Sequence, residues 1–205
     1  IHPSIISPRL CVGMFVAKPT AIPIISILLC VFMMMSLSVI AFAEENNAVT
    51  LAAANVEAEF YCKLTRIEEI AEFAKKMGYK KLGIATCVGL LKEAGIIAKI
   101  LRNKGFEVYG AVCKVGTQKK VDVGIDSFCE VVGCNMCNPI LQALLLNEEK
   151  TDFNIIVGLC VGHDSLFMKY SDALATTLIA KDRVLGHNPA AALYLSESYY
   201  AKVLK

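Results

Sequence analysis

Hydrophobic and polar positions alternate along this chain in two periods, and the switching between them outlines the fold. From Thr65 the apolar positions Ile67, Ile70, Ala71, Ala74 and Met77 recur at helical spacing. Thr65 and Glu68 form a capping box ahead of them, and Gly78 supplies the stop. KKLGIATC (80–87) reads as a strand, Gly89 to Asn103 as a helix stopped by Gly105, and FEVYGAVC (106–113) as a second strand. Asn138 followed by Pro139 predicts an N-cap with proline at the first helical position, opening a helix through Glu149. FNIIVGLC (153–160) is the near-continuous apolar run expected of a buried parallel strand. A short helix over Ser165 to Tyr170 leads to a strand ATTLIAK (175–181), and Asn188-Pro189 repeats the cap ahead of a last helix from Ala190 towards Val203. Between Lys114 and Gly133 the pattern weakens to loop, and loops of that length in compact domains are often functional.

Strands alternating with helices imply a parallel sheet covered on both faces. The expected class is an α/β three-layer sandwich with a mostly parallel central sheet, Rossmann-like or flavodoxin-like. The small-residue segment around TLAAANVEA makes 44–60 a linker and 61–205 a single α/β domain. No Gly-x-Gly-x-x-Gly, P-loop or Gly-x-Ser-x-Gly elbow occurs, so the familiar nucleotide and hydrolase signatures are absent.

Composition changes this picture at one end. With 205 residues, 56% of them hydrophobic and 20% charged, the chain is long enough for one packed domain. The mean hydropathy of +0.54 is raised by residues 21–43, which hold no charge. Arg9 and Lys18 precede that stretch, Ala41-Phe42-Ala43 ends it, and Glu44 and Glu45 follow. Residues 1–43 are therefore expected to be a signal peptide cleaved after Ala43, with Met14 as a conventional start, or else an uncleaved N-terminal membrane anchor. The protein is exported or membrane-anchored on that reading, and residues 21–43, if uncleaved, are its one expected contact with a membrane. A net charge of +2 without a basic tract argues against a nucleic-acid partner.

Nine cysteines leave seven beyond the leader: Cys62, Cys87, Cys113, Cys129, Cys134, Cys137 and Cys160. An odd number cannot all pair within one molecule. In an oxidising compartment disulfides are the plain explanation; in a reducing one, metal ligation or thiol chemistry is.

Three strands end alike, at IATC-VG, GAVC-KVG and VGLC-VG, which places Cys87, Cys113 and Cys160 at the carboxyl edge where open α/β folds hold ligands. Cysteine is also a small buried hydrophobe, so any one of the three serves packing equally well. Cys137 and His187 each stand before an Asn-Pro cap, where free amides favour a thiolate or an anion. Cys134 and Cys137 form a Cys-x-x-Cys pair suited to zinc, iron or dithiol redox chemistry. His163 and Asp164 follow the third strand, Asp164 serving most simply as the N-cap of the short helix. Lys181, Asp182 and Arg183 follow the fourth and either clamp a small anionic ligand or form a solvated turn.

The phrases FAKKMGYKKLGIATCVGLLKEA, CNPILQALLLNEEKTDFNIIVGLCVGHDSLF and AKDRVLGHNPAAALYLSESYY resemble domain-of-unknown-function family 1847, whose members are often labelled predicted metal-binding proteins. The resemblance spans about residues 56–205. It implies site roles for Cys87, Cys113, Cys134, Cys137, Cys160, His163, Asp164, Lys181, Asp182, Arg183, His187 and Asn188, and a cytoplasmic location. Members commonly begin with a short cysteine-rich segment, and here an apolar leader stands in its place. The leading expectation is a metal-binding protein, with zinc or an iron–sulfur cluster held by Cys87, Cys113, Cys134, Cys137, Cys160, His163 and His187. A second is a cysteine-dependent redox or nucleophilic enzyme using Cys160, His163 and Asp164, or Cys137. A third is a non-catalytic anion-binding module in which Lys181, Asp182, Arg183 and Asn188 hold the ligand.

Overall fold

The computed structural model describes residues 44–205. The expected signal peptide or anchor lies outside them, and among the described residues no helix is long and apolar enough to cross a membrane. The fold described below is that of the compact unit Val49–Lys205, with the first turn of its leading helix just ahead of it.

Four strands, β1 (Lys81–Thr86), β2 (Glu107–Val112), β3 (Phe153–Val157) and β4 (Leu174–Ile179), form one sheet in the order β2-β1-β3-β4. Every pairing is parallel. The chain steps from β1 outward to β2, then returns across β1 to β3, so the strand order reverses between β1 and β3. That reversal is where sheets of this kind open a crevice at their carboxyl ends.

Both faces are covered, as the sequence pattern requires. One carries Leu82, Ile84, Val108, Phe153, Ile155 and Val157 against Ile70, Ala71 and Ala74 of α2 (Arg66–Lys76) and Ala94, Ile97 and Leu101 of α3 (Leu91–Asn103). The other carries Ala85, Ala111 and Ile156 against Ala143 and Leu146 of α4 (Pro139–Glu148) and Phe167 of α5 (His163–Tyr170). The alternation of faces along β1 and β3 follows the two-residue period of a strand. Gly83 belongs to the second face because a Cβ there would lie 2.0 Å from Asn154 Oδ1.

Helix α2 opens as predicted: the Thr65 amide and hydroxyl donate to Glu68 Oε2 at 2.8 and 2.6 Å. Three expectations are corrected. Residues 44–60 are a helix, α1 (Glu44–Phe60), not an irregular linker. Alanine, the strongest helix former, fills that segment, and Ala52 and Val56 are buried four residues apart on one face. At the other end, the last helix closes after five residues, as α6 (Ala190–Tyr194). It buries no residue, and the Ser198 hydroxyl donates to the Leu195 carbonyl, so the backbone turns instead of continuing. Asn188 does not cap this helix through its side chain.

The third correction bears on the site: β3 ends at Val157, three residues short of Cys160. Gly158 has φ +64°, and a Cβ on it would lie 2.0 Å from Leu90 Cδ1. The strand therefore breaks there, and Cys160 rides in the loop beyond.

Candidate functional site at the carboxyl edge of the sheet

Each strand delivers a chemically able side chain to the same edge. Cys87 follows β1 directly and Cys113 follows β2, while β3 leads through Gly158 to Cys160 and β4 leads to Lys181 and Arg183. The sheet ladder continues past the strands: Cys87 N–H donates to the Val157 carbonyl at 3.2 Å, Cys113 N–H to the Thr86 carbonyl at 2.9 Å and Gly158 N–H to the Ile179 carbonyl at 2.8 Å. These bonds hold the edge rigidly before any ligand is considered.

The centre of the site is a pair of sulfurs. Cys113 is 2% exposed, receives the Val88 N–H at 3.3 Å on its sulfur, and lies in a core cluster against which Cys137 packs. Cys137 reaches it from the residue before Asn138, whose Oδ1 accepts the Leu141 amide at 2.9 Å and whose N–H donates to the Cys113 carbonyl at 2.7 Å. The cap of α4 is thus tied to the end of β2, which brings the two thiols together.

This contact sets the charges. The neighbouring Cys113 thiol is the largest influence on Cys137 and lowers its pKa to about 5; burial opposes it, and the nearby Lys114 and His163 assist. Cys113 is pushed up instead, by the neighbouring Cys137 and by burial. As a pair, the two thiols lose their first proton below the ordinary thiol range and their second above it.

The second cluster stands over β3 and β4. Arg183 Nη2 donates to Cys160 Sγ at 3.0 Å. The loop that presents it is built by Asp182 and His187: Asp182 Oδ1 accepts the Val184 and Leu185 amides at 2.9 and 2.8 Å, and the Asp182 carbonyl accepts the His187 amide at 2.8 Å. In return, Asp182 N–H donates to His187 Nδ1 at 3.1 Å, leaving the imidazole proton on Nε2. His187 adopts φ +67°, a left-handed turn next to Gly186.

The remaining expected residues lie around these clusters. Asp164 is not the N-cap of α5; that place is taken by Gly162, and Asp164 Oδ1 accepts the Ser165 amide at 2.8 Å within the first turn. Cys134 is exposed, with its sulfur 3.8 Å from Asn135 Oδ1, while Cys137 is half-buried and packs against the cluster that holds Cys113. Among the described residues no three His, Cys, Asp or Glu side chains are gathered closely enough to hold one metal ion. The seven cysteines described are all free thiols.

Three participants were not singled out from sequence. Lys114 stands beside Cys137 and donates to the Asn135 carbonyl; its place directly after a strand-end cysteine was the available signal. Gln142, fully buried in the apolar run ILQALLL, donates through Nε2 to the Thr86 and Ala111 carbonyls at 3.1 and 2.7 Å, under the strand ends. Its Oε1 has no partner among the described residues. Gly158, an isolated glycine inside an apolar strand, marked the break.

A cavity of about 740 Å³ lies elsewhere, lined by Val56, Ile70 and Phe73 and by the first residues of β3 and β4, Phe153 and Leu174. It contains Cys62 but none of the strand-end thiols, which lie at the opposite edge of the sheet.

A family model described as a protein of unknown function, DUF1847, matches residues 32–178. The chain belongs to the DUF1847 family. Over 164 residues it is 54% identical to an uncharacterized protein of Methanocaldococcus jannaschii, the alignment covering 78% of this chain and 82% of the relative. The DUF1847 match includes Cys87, Cys113, Cys134, Cys137, Cys160 and His163 and ends before Lys181. The family resemblance read from the sequence phrases is borne out, as is the α/β sandwich with an all-parallel sheet.

Proposed function

We propose that this DUF1847 protein is a thiol-dependent protein whose reactive group is the Cys137 thiolate at the carboxyl edge of the sheet. The observation that carries the reading is the packing of Cys137 beside buried Cys113, fixed by the Asn138 N–H bond to the Cys113 carbonyl, which lowers the Cys137 pKa to about 5. A thiolate is the nucleophilic form of cysteine, and it is favoured here by the neighbouring Cys113, whose sulfur accepts the Val88 amide, with Lys114 and His163 nearby. Cys137 is half-buried, so a small electrophile can reach its sulfur. The test is alkylation by iodoacetamide at pH 6, mapped by mass spectrometry. Cys137 is expected to label first among the seven thiols; labelling no faster than exposed Cys62 and Cys134 would overturn the assignment.

A second reading, metal binding, is favoured by one specific observation. Cys87 and Cys137 both pack against the core cluster that holds Cys113, so the three sulfurs share one neighbourhood. Neighbouring sulfurs offer a place that a soft ion can take, and the donor set suits zinc or an iron–sulfur cluster. Gathering a third ligand requires side chains to move, since no three ligating groups stand ready among the described residues. Metal analysis and a visible spectrum of protein purified without oxygen or chelators decide between the readings. Near-stoichiometric zinc or iron, lost in Cys113→Ser, supports the metal; metal-free protein with a fast-reacting Cys137 supports the thiolate.

A further inference from the structure

The same edge gathers positive charge. Lys114 follows β2, and Lys181 and Arg183 follow β4. Among the described residues the ion pairs are Lys75–Glu72 and Lys76–Glu59, so none of these three cations faces a carboxylate partner. The two acids of the edge are engaged otherwise: Asp182 accepts two loop amides and Asp164 accepts the amide of Ser165.

Placement of the β4 cations is built into the fold. The Asp182–His187 loop turns Arg183 back across the sheet onto Cys160 Sγ, 3.0 Å away. Lys181 is half-buried and lays its stem across the strand break, with Cε 3.7 Å from the position a Gly158 Cβ would take. A solvated turn would let such charges point apart; here they converge over β3, beside the reversal of strand order. Unpaired cations held together at a sheet edge concentrate small anions there.

We infer that this edge binds a small organic anion, a carboxylate or a phosphate ester, held by Lys181 and Arg183. Adjacent strands lie about 4.8 Å apart and three such steps separate β4 from β2, so the β4 cations stand roughly 14 Å from the side of the sheet where Cys113 and Cys137 sit. An elongated molecule, anchored by its anionic group, spans from the clamp to the thiolate. That far end of the ligand rests on the thiolate reading; the clamp does not.

The test is thermal unfolding of the full chain with inorganic phosphate, with succinate and with uncharged succinamide at matched ionic strength. A raised midpoint with phosphate, succinate or both, and none with succinamide, is expected, and the responding anion distinguishes phosphate-bearing from carboxylate ligands. Lys181→Gln combined with Arg183→Gln is expected to weaken that response about tenfold in affinity, the loss of a charge-assisted hydrogen bond. Cys137→Ser is expected to leave it unchanged, so a slow Cys137 sinks the thiolate reading without touching this one. A midpoint insensitive to both anions overturns the inference, as does an equal response from the double variant. A second readout serves if the double variant folds poorly: the ratio of iodoacetate to iodoacetamide rates at Cys160, compared with the urea-unfolded chain. A ratio raised about tenfold in the folded protein fits a clamp of two cations; a ratio equal to that of the unfolded chain rejects it.

Discussion

Cys113 and Cys137 lie side by side at the carboxyl edge of the sheet, and their proximity drives the two thiols apart, Cys137 down and Cys113 up. The arrangement follows from position: Cys113 closes β2 under α4, whereas Cys137 sits before the N-cap of α4, near Lys114 and His163.

The reactivity of Cys137 should therefore titrate low. Its rate of alkylation by iodoacetamide is expected to reach half its plateau at about pH 5 and to stay high through neutrality. In Cys113→Val the midpoint should climb towards the ordinary thiol value of 9.0, and labelling at pH 6 should slow at least about tenfold. An unchanged midpoint in that variant would remove Cys113 as the cause.

Stability should follow the same pair with a defined sign. Cys137 is depressed from 9.0 to about 5, so between those values the unfolded chain binds the proton that the native state has released. Stability from this group is full above the unfolded value and is lost as pH falls through about 5. Cys113 is raised, so it retains a proton that the unfolded chain gives up, and stability falls as pH rises above 9.0. Urea midpoints across pH should rise from acid towards 9.0 and then decline. Cys113→Val should flatten both limbs; limbs unchanged in the variant would assign the profile to other groups.

Gly158→Ala tests the strand break. The left-handed φ of +64° and a contact of 2.0 Å with Leu90 both oppose a side chain. A loss of about 2–4 kcal/mol in unfolding free energy is expected, from backbone strain together with overpacking. Because Gly158 precedes the Cys160 loop, labelling of Cys160 should accelerate as well; a variant of wild-type stability would show that the loop can rearrange freely.

His187 separates scaffold from ligand. Its φ of +67° and the hydrogen bond it accepts from Asp182 N–H are both within the reach of asparagine. His187→Asn should keep the melting temperature near wild type, and His187→Val should lower it, since a β-branched residue neither accepts that bond nor tolerates the turn. If His187→Asn folds normally yet loses bound metal or anion, the imidazole Nε2 contributes to the site directly.

Much of this molecule was legible along the chain. The capping box of Thr65 and Glu68, the Asn138-Pro139 cap and the strand-end cysteines Cys87 and Cys113 are local signals, and each depends on neighbours a few residues away. The same local reading failed at 44–60, where alanines suggested a linker although Ala52 and Val56 form one buried face, and after Tyr194, where a helical pattern finds nothing to pack against.

The amino-acid order by itself determined the alternation of strands and helices, the two-faced sandwich and the delivery of cysteines to strand ends, because periodicity and capping act over one or two turns. Tertiary structure alone decided that Cys137 packs beside Cys113 while Cys134 stays exposed, that Asp182 and His187 brace the loop carrying Arg183, and that β3 stands beside β1. Those outcomes depend on which strand ends become neighbours across the sheet. Packing of α4 and α5 on one face against α2 and α3 on the other settles that choice, and no local spacing encodes it.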